Sequence, residues 1–568
     1  MGVAPSEGGS YIRDTFFGAD PRLKKLVEHL SDEELGKLRR GGHDPEKVYA
    51  AYKAAVEHTG APTVILAKTV KGYGLGEAGE GKNITHQQKK LNDEELREFR
   101  ARFGIPISDE EVGEAPFYKP AEDSPELRYL KEKRTALGGS LPKRISECPA
   151  LDPSPTELFN EFDGGSEGRE ISTTMAFVRI LARLLKDPQL GPLIVPIVPD
   201  EARTFGMEAL FRQVGIYSHV GQRYEPVDKE TLLYYKEATD GQILEEGITE
   251  AGSMCSFIAA GTAQATQRVN AIPMFIYYSM FGFQRIGDLV WAAGDMRARG
   301  FMLGGTSGRT TLAGEGLQHQ DGHSQLLAYT HPHVVSYDPA FAYELGVLIE
   351  EGIRRMYIEQ EPIFYYLTIG NEPYAMPAMP DGCREGILQG AYRFDRTSKK
   401  KATEKVKLLG SGSIMNEVLK AQQLLHDDYG VESEAWCVTS YQQLHRRGLD
   451  AERENRMNPG KKPQEAWVSR CFGKDPDQTV VAASDYQKAL PHSIRDWVSG
   501  HFVALGTDGF GLSEAREELR DYFEVDARHI AYYTLEALER QGKVDAGTVD
   551  KARRKLTINP DKPTPFHG

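Results

Sequence analysis

Four short stretches of the sequence place acids, aromatics and histidines at the ends of predicted strands. They are PDEARTFG (199–206), EEGITEAG (245–252), YYSMFGFQRIGD (277–288) and GGTSGRTTLAGEGLQHQDGHS (304–324). Open parallel sheets bind ligands outside the carboxyl ends of their strands, so these stretches are expected to meet at one edge. Carboxylates and imidazoles are also the side chains that exchange protons in catalysis. The four stretches therefore predict a site of proton transfer.

The acids in the first two stretches have two interpretations each. Asp200 and Glu201 stand close to Arg203, which indicates either a strand cap with a local ion pair or a part of a site. Glu250 precedes the apolar run 254–260. An acid in that position is either stabilised by the dipole of a helix N-terminus or functional.

The aromatic and histidine stretches have two interpretations as well. Tyr278 and Phe281 either pack in the core or offer a stacking surface to a flat ligand ring. His319 and His323 have the spacing of two metal ligands on one helical face. Gly322 between them favours a loop instead, one that holds a histidine for proton transfer.

Alternation of apolar runs with helical patterns predicts the fold class. Eight apolar runs are typical of short buried strands: 63–69, 193–198, 273–278, 334–337, 363–367, 406–409, 479–483 and 502–505. Amphipathic stretches lie between most of them, such as Thr173 to Leu185. The chain is therefore predicted to be an α/β protein with parallel sheets flanked by helices.

Changes in composition divide the chain into residues 1–149, 150–384 and 385–568. The first segment shows one predicted strand, followed by KGYG and the polar GEAGEGKNITHQQKK. One strand is not a sheet, so this segment is expected to be an incomplete domain. His86 within it is either a second proton carrier or a surface histidine.

Charge and cysteine usage exclude several classes of protein. The formal net charge is −14 over 568 residues, whereas nucleic-acid and polybasic membrane surfaces need an excess of Lys and Arg. The five cysteines are far apart in the sequence, which favours a reducing compartment such as the cytoplasm. No run approaches the roughly 20 apolar residues of a membrane helix. Neither nucleic acid nor membrane is an expected partner.

The motifs together resemble one family. PDEARTFG, EEGITE, YYSMFGFQRIGD, the run 304–324, SYDPAFAYE and LGTDGFG occur in this order in the homodimeric type of pyruvate dehydrogenase, the decarboxylating first component of the pyruvate dehydrogenase complex. The similarity extends from about Asp14 to Asp561. It implies a transketolase-like fold: a remnant of the N-terminal diphosphate-binding domain with an active-site loop, a complete middle aminopyrimidine-binding domain and a complete C-terminal domain.

The resemblance also implies an activity. The family uses thiamine diphosphate to decarboxylate a 2-oxo acid, forming a two-carbon enamine that is transferred to a lipoyl group. Glu250 matches the carboxylate that activates the cofactor through its aminopyrimidine ring. Phe281 and Tyr278 match residues that contact this ring, and His319 matches a histidine near the substrate.

Four further residues are carried over from the resemblance. His86 matches a histidine on a mobile loop that assists reductive acetylation of the lipoyl group. Lys71 belongs to the KGYG turn that faces the site, and Asp200 and Glu201 match an acidic pair near the cofactor.

One motif of the family is missing from this sequence. The family holds Mg²⁺ and the cofactor's diphosphate with a GDG motif and a later Asn, and the sequence contains no GDG. The Mg²⁺ ligands are therefore expected from a partner chain that carries GDG, in a dimer or heterotetramer, with a lipoyl or acyl-carrier domain as a further partner.

Three explanations of the missing motif stay open. The sequence is a truncated piece of an ordinary dehydrogenase component, one subunit of a split enzyme, or a non-catalytic scaffold subunit. As a split enzyme, the chain has an alternative function as half of an acyloin-forming carboligase, which passes the two-carbon unit to a carbonyl or a carrier-bound acceptor.

Overall fold

The computed structural model describes residues 8–38, 41–87, 90–140, 148–152, 156–200, 202–227, 235–397 and 404–566. The chain divides into two compact units, Met1–Ser140 and Leu141–Gly568, which we call the smaller and the larger unit. Within the described residues, no helix combines the length and the apolarity needed to cross a membrane.

The regular elements in the described part of the smaller unit are helices joined by irregular segments. Its helices are α1 (Gly8–Tyr11), α2 (Pro21–Leu26), α3 (Asp32–Gly36), α4 (Pro45–Glu57), α5 (Asp93–Phe103) and α6 (Pro125–Ala136). Residues 63–69, predicted as a strand, lie outside every strand and helix, so that prediction is wrong. A strand needs a neighbour to pair its backbone amides and carbonyls, and no strand lies in the described part of this unit.

The larger unit begins with ten strands and eight helices, the elements of its first sheet region. The strands are β1 (Glu170–Ile171), β2 (Ile194–Val198), β3 (Ile216–Tyr217), β4 (Glu237–Ala238), β5 (Leu244–Glu245), β6 (Ile272–Tyr278), β7 (Phe301–Gly305), β8 (Val334–Tyr337), β9 (Phe364–Thr368) and β10 (Tyr374–Ala375). The helices are α7 (Thr173–Leu184), α8 (Glu208–Val214), α9 (Glu250–Gly261), α10 (Ala263–Thr266), α11 (Phe283–Asp295), α12 (Ser324–Ala328), α13 (Ala342–Ile353) and α14 (Arg384–Gln389).

A second group of elements completes the larger unit. The strands are β11 (Tyr392–Arg396), β12 (Lys405–Gly410), β13 (Glu432–Cys437), β14 (Thr479–Ala483) and β15 (His501–Leu505). The helices are α15 (Ile414–Tyr429), α16 (Tyr441–Met457), α17 (Trp467–Phe472), α18 (Ala489–His492), α19 (Arg516–Tyr522), α20 (Ala527–Arg540) and α21 (Ala546–Lys555).

Two sheets organise the larger unit. The first has six parallel strands in the order β5-β2-β6-β7-β9-β8. The second has five strands in the order β11-β13-β12-β14-β15, of which only β11 is antiparallel to its neighbour. Long apolar runs suit such strands because helices cover both faces of a parallel sheet. The predicted α/β architecture with parallel sheets is confirmed.

Strands β5, β2, β6 and β7 are consecutive neighbours in the first sheet. Each is followed by one of the four chemically distinctive stretches of the sequence. The topology therefore brings the carboxyl ends that carry these stretches to one edge of one sheet.

Candidate active site

Glu250 is the first residue of α9 and lies just beyond the end of β5. Thr249 caps the helix, because its hydroxyl accepts a hydrogen bond from the Gly252 amide at 3.2 Å. The helix dipole favours a carboxylate at this N-terminus, so the predicted stabilisation of Glu250 by a helix dipole holds whether or not the residue also has a function. Only 9% of Glu250 is exposed, which leaves its carboxylate dependent on protein partners.

The aromatic stretch surrounds the edge of the sheet after β6. Tyr278 ends the strand, and Phe281 lies in a short turn before α11. The ring centroids of Tyr278 and Phe281 are 5.8 Å apart, and Phe205 lies 5.3 Å from Tyr278. The rings meet edge to face or tilted, which is a favourable geometry for aromatic packing.

His319 joins these aromatic rings from the loop after β7. Its ring lies 5.1 Å from that of Tyr278 and 5.2 Å from that of Phe281. The loop forms a single 3-10 turn at Leu317–His319, and His323 lies beyond it with Nε2 3.3 Å from the Gln284 side-chain oxygen. The two histidines therefore do not share one helical face, as the loop interpretation predicts. Among the described residues, no group hydrogen-bonds to the buried Nδ1 of His319.

Asp200 follows β2 and contacts the hydroxyl end of Tyr278. Burial, the larger influence, and the charge of Asp200 both raise the pKa of Tyr278, which keeps this hydroxyl protonated. A protonated phenol next to His319 is a hydrogen-bond donor. Glu201, predicted beside Asp200, lies outside the described residues.

Arg285 is a further residue of the site that the sequence analysis did not single out. Its Nη1 lies 3.2 and 3.3 Å from the two carboxylate oxygens of Glu250. Its guanidinium carbon lies 4.0 Å from the centre of the Phe281 ring. The residue was visible in YYSMFGFQRIGD, four positions after Phe281, but an arginine in the first turn of a helix is usually solvated.

The loop that carries His319 is held by the second sheet region of the same unit. Asp485, just after β14, accepts hydrogen bonds from the amides of Thr310 and Thr311 at 2.9 and 3.1 Å, and from both hydroxyls at 2.7 Å. Arg309 donates to the Gly509 carbonyl at 2.7 Å. Both side chains are buried, so the loop before His319 has a fixed course.

Lys71 and His86 of the smaller unit contact each other. The Lys71 Nζ lies 2.7 Å from Nδ1 of His86, and both side chains face solvent. An ammonium group only donates, so Nδ1 of His86 is the acceptor and the ring proton resides on Nε2. His86 thus presents a proton donor on its free edge.

The residues around Glu250 fit the aminopyrimidine ring that the resemblance implies. The Arg285 guanidinium is itself a flat group that donates hydrogen bonds to Glu250 while it stacks on Phe281. A flat heterocycle with an N–H group meets the same two partners. The cradle formed by Glu250 and Phe281, which Arg285 occupies in this structure, is therefore chemically suited to such a ring.

The described residues give Mg²⁺ no comparable site. Only one group of acids and histidine among them has metal-like spacing, formed by Asp521, Asp526 and His529. Arg528 donates to Asp521 at 2.7 Å and to Asp526 at 2.6 Å, so these carboxylates already have a cation. We assign no metal to this group.

Two family models match the larger unit. Residues 147–377 match the pyruvate dehydrogenase E1 component middle domain, and residues 390–526 match the transketolase-like C-terminal domain. The first match contains Glu250, Phe281, Arg285 and His319, and the second contains Asp485.

Known proteins resemble the chain over nearly all of its length. A pyruvate dehydrogenase E1 component from Pseudomonas aeruginosa is 54% identical over 99% of this chain and 63% of its own length. The protein of the same name from Escherichia coli K12 is 48% identical over 99% of this chain and 63% of its own length. The chain therefore spans less than two thirds of these curated relatives.

Solved structures agree on the fold. A transketolase from Campylobacter jejuni has a TM-score of 0.58 at 16% identity, covering 87% of this chain and 66% of that one. One from Leishmania mexicana has a TM-score of 0.57 at 16% identity, covering 94% and 70%. The predicted resemblance to pyruvate dehydrogenase E1 components and the predicted transketolase-like fold are thus confirmed.

Proposed function

We propose that this chain binds the aminopyrimidine half of thiamine diphosphate in an enzyme that decarboxylates pyruvate and passes the acetyl unit to a lipoyl group. The observation that carries the proposal is the convergence of Glu250, Phe281 and His319 at one sheet edge. A buried carboxylate, a stacking ring and an unpartnered imidazole nitrogen are the groups that such a cofactor site requires. Relatives of about 50% identity named pyruvate dehydrogenase E1 component support the substrate assignment.

Each residue has a separate task in this proposal. When bound, thiamine diphosphate supplies a nucleophilic carbon and an electron sink for the loss of carbon dioxide from a 2-oxo acid. Glu250 accepts a hydrogen bond from the ring nitrogen, and Phe281 orients the ring by stacking. His319 exchanges a proton with the substrate, while the Tyr278 hydroxyl donates a hydrogen bond beside it.

The Lys71–His86 pair is assigned to the acetyl-transfer step. Lipoyl reduction requires a proton for the sulfur that leaves the dithiolane ring. Nε2 of His86 carries a transferable proton because Lys71 occupies Nδ1. In this role Lys71 is a positioning residue and His86 is the donor.

The sequence contains no GDG motif. We therefore assign the binding of the diphosphate and Mg²⁺ to a partner chain that carries GDG and a later Asn. Mixed with cofactor, Mg²⁺ and pyruvate, the chain alone is expected to release little carbon dioxide. Addition of a GDG-bearing chain should restore release. Full turnover by the isolated chain would refute the need for a partner.

Glu250→Gln tests the role of the acid directly. Loss of a positioned proton acceptor is expected to slow deuterium exchange of the cofactor's reactive C–H by about 10²- to 10⁴-fold in the reconstituted enzyme. The matched control is Glu246→Gln, since Glu246 hydrogen-bonds to the Ser256 hydroxyl at 2.5 Å and faces no ring. Equal exchange rates in wild type and Glu250→Gln would contradict the assignment.

Product analysis separates the remaining alternatives. An acetylated lipoyl domain supports the dehydrogenase function, whereas acyloin formation supports a carboligase. A complex whose activity is unchanged by Glu250→Gln would contain this chain as a scaffold. Nothing in the comparisons favours the carboligase.

A further inference from the structure

The guanidinium of Arg285 lies between the two groups that the proposed function assigns to a cofactor ring. On one side Nη1 is within 3.2 and 3.3 Å of both Glu250 oxygens. On the other side the guanidinium carbon is 4.0 Å from the Phe281 ring centre, which is stacking distance. The space between carboxylate and ring is therefore filled by a side chain of the protein.

A guanidinium copies the properties that make an aminopyrimidine fit this place. It is planar, it donates hydrogen bonds from its edge and it stacks on an aromatic face. A flat ring that hydrogen-bonds to Glu250 and stacks on the same face of Phe281 cannot coexist with it.

Arg285 has a route out of the cradle. Its side chain is 49% exposed, whereas that of Glu250 is 11% exposed. It projects from the first turn of α11, and the helix departs from helical geometry at the next residue, Ile286. When the Arg285 side chain rotates into solvent, water solvates its charge and the cradle becomes open. No buried residue has to move.

We propose that Arg285 is a placeholder for the cofactor's aminopyrimidine: it occupies the Glu250–Phe281 cradle in the free protein and leaves when the ring enters. This inference rests on the proposed function, because it takes the ring as the entering ligand. Binding of the cofactor ring then competes with the Arg285 side chain, which is tethered beside the cradle and therefore has a fixed effective concentration there. The buried Glu250 carboxylate always has a partner, either Arg285 or the ring. Flat molecules that bind weakly cannot displace the arginine and are therefore excluded.

Removal of the placeholder should tighten binding of the ring. An exposed ion pair and a cation–π contact together correspond to about a tenfold change in equilibrium constant, so Arg285→Met is expected to bind thiamine about tenfold more tightly than wild type. Thiamine is the probe because it lacks the diphosphate and so does not depend on Mg²⁺. Arg285→Lys, which keeps the charge and loses the planar fork, should lie between the two.

The experiment is a thiamine titration of the full chain followed by saturation-transfer NMR, with no turnover required. Arg179→Met, which changes an exposed arginine on α7, is the matched control and should bind as wild type does. Thermal unfolding of each variant establishes that the cradle is folded.

The outcomes distinguish the inference from the proposed function. If wild type binds, Glu250→Gln loses binding and Arg285→Met gains it, the placeholder is supported. If wild type binds and Glu250→Gln loses binding, but Arg285→Met binds no more tightly, the placeholder is refuted and the ring site stands. If neither wild type nor Arg285→Met binds thiamine, the cradle is not a ring site and both are refuted.

Discussion

Asp338 lies between the two sheet regions of the larger unit and offers a quantitative test of the structure. It follows β8, and its Oδ1 accepts a hydrogen bond from the Thr368 hydroxyl at 2.6 Å. Its backbone amide donates to the Thr439 carbonyl at 2.7 Å, in the second region. It lines a small cavity of about 20 Å³ together with Asp485, the residue that holds the loop before His319.

The size of the effect follows from the burial of this carboxyl. Burial, the largest influence, raises the pKa of Asp338 from its ordinary value of 3.8 to about 7, and the charges of Asp485 and Glu344 act in the same direction. At roughly 1.4 kcal/mol per pH unit, the difference corresponds to a contribution on the order of 4 kcal/mol. The folded state binds the extra proton, so this stability is complete below pH 3.8 and is lost as the pH rises to about 7.

Asp338→Asn removes the proton equilibrium and keeps the size of the side chain. The variant should gain stability relative to wild type as the pH increases from about 4 to about 7, and the gain should level off above that pH. Urea unfolding at four or five pH values, followed by near-UV circular dichroism, measures the difference. Asp288→Asn, which neutralises an exposed acid on α11, controls for the loss of one charge. A difference that is constant with pH would refute the reasoning.

Three shorter predictions concern the site itself. Asp485→Ala removes an acceptor of four hydrogen bonds and should cost about 3–5 kcal/mol of stability, with faster amide hydrogen exchange in residues 306–323. Lys71→Met should lower acetyl transfer to a lipoyl domain about tenfold or more while leaving pyruvate decarboxylation unchanged, because only the orientation of His86 is altered. Tyr278→Phe should lower kcat by about tenfold and leave thiamine binding intact, since it removes a hydroxyl and keeps the ring; unchanged kcat would contradict a donor role.

Both sheets were predictable where strands are continuous apolar runs. Val334–Tyr337 and Thr479–Ala483 form strands with the predicted bounds, and Ile272–Tyr278 differs from its prediction by one residue. β7 was missed because FMLGG ends in glycines that are typical of a loop. A side chain at Gly304 would place its Cβ 2.5 Å from the Tyr366 hydroxyl, so the strand requires glycine there for packing reasons that involve a distant residue.

The candidate site was also partly predictable from the sequence. The proximity of Glu250, Phe281 and His319 was predictable from their order along the chain, because parallel topology brings consecutive carboxyl ends together, whereas their roles were implied only by the family resemblance. Arg285 and Asp485 were not identifiable, since their importance depends on which groups they meet across 35 and about 175 residues of sequence. Contacts of that separation are set by packing of whole elements, which local patterns do not encode.

The attachment of the loop before His319 to Asp485 limits how freely the C-terminal domain can be exchanged between relatives. A chimera that joins residues up to 384 of this chain to a C-terminal domain without a carboxylate at the position of Asp485 would keep the loop and lose its acceptor. Folding of both parts would then not restore the histidine to its place. Recombination between relatives should therefore succeed only when the loop and its acceptor, Asp485, come from the same parent protein.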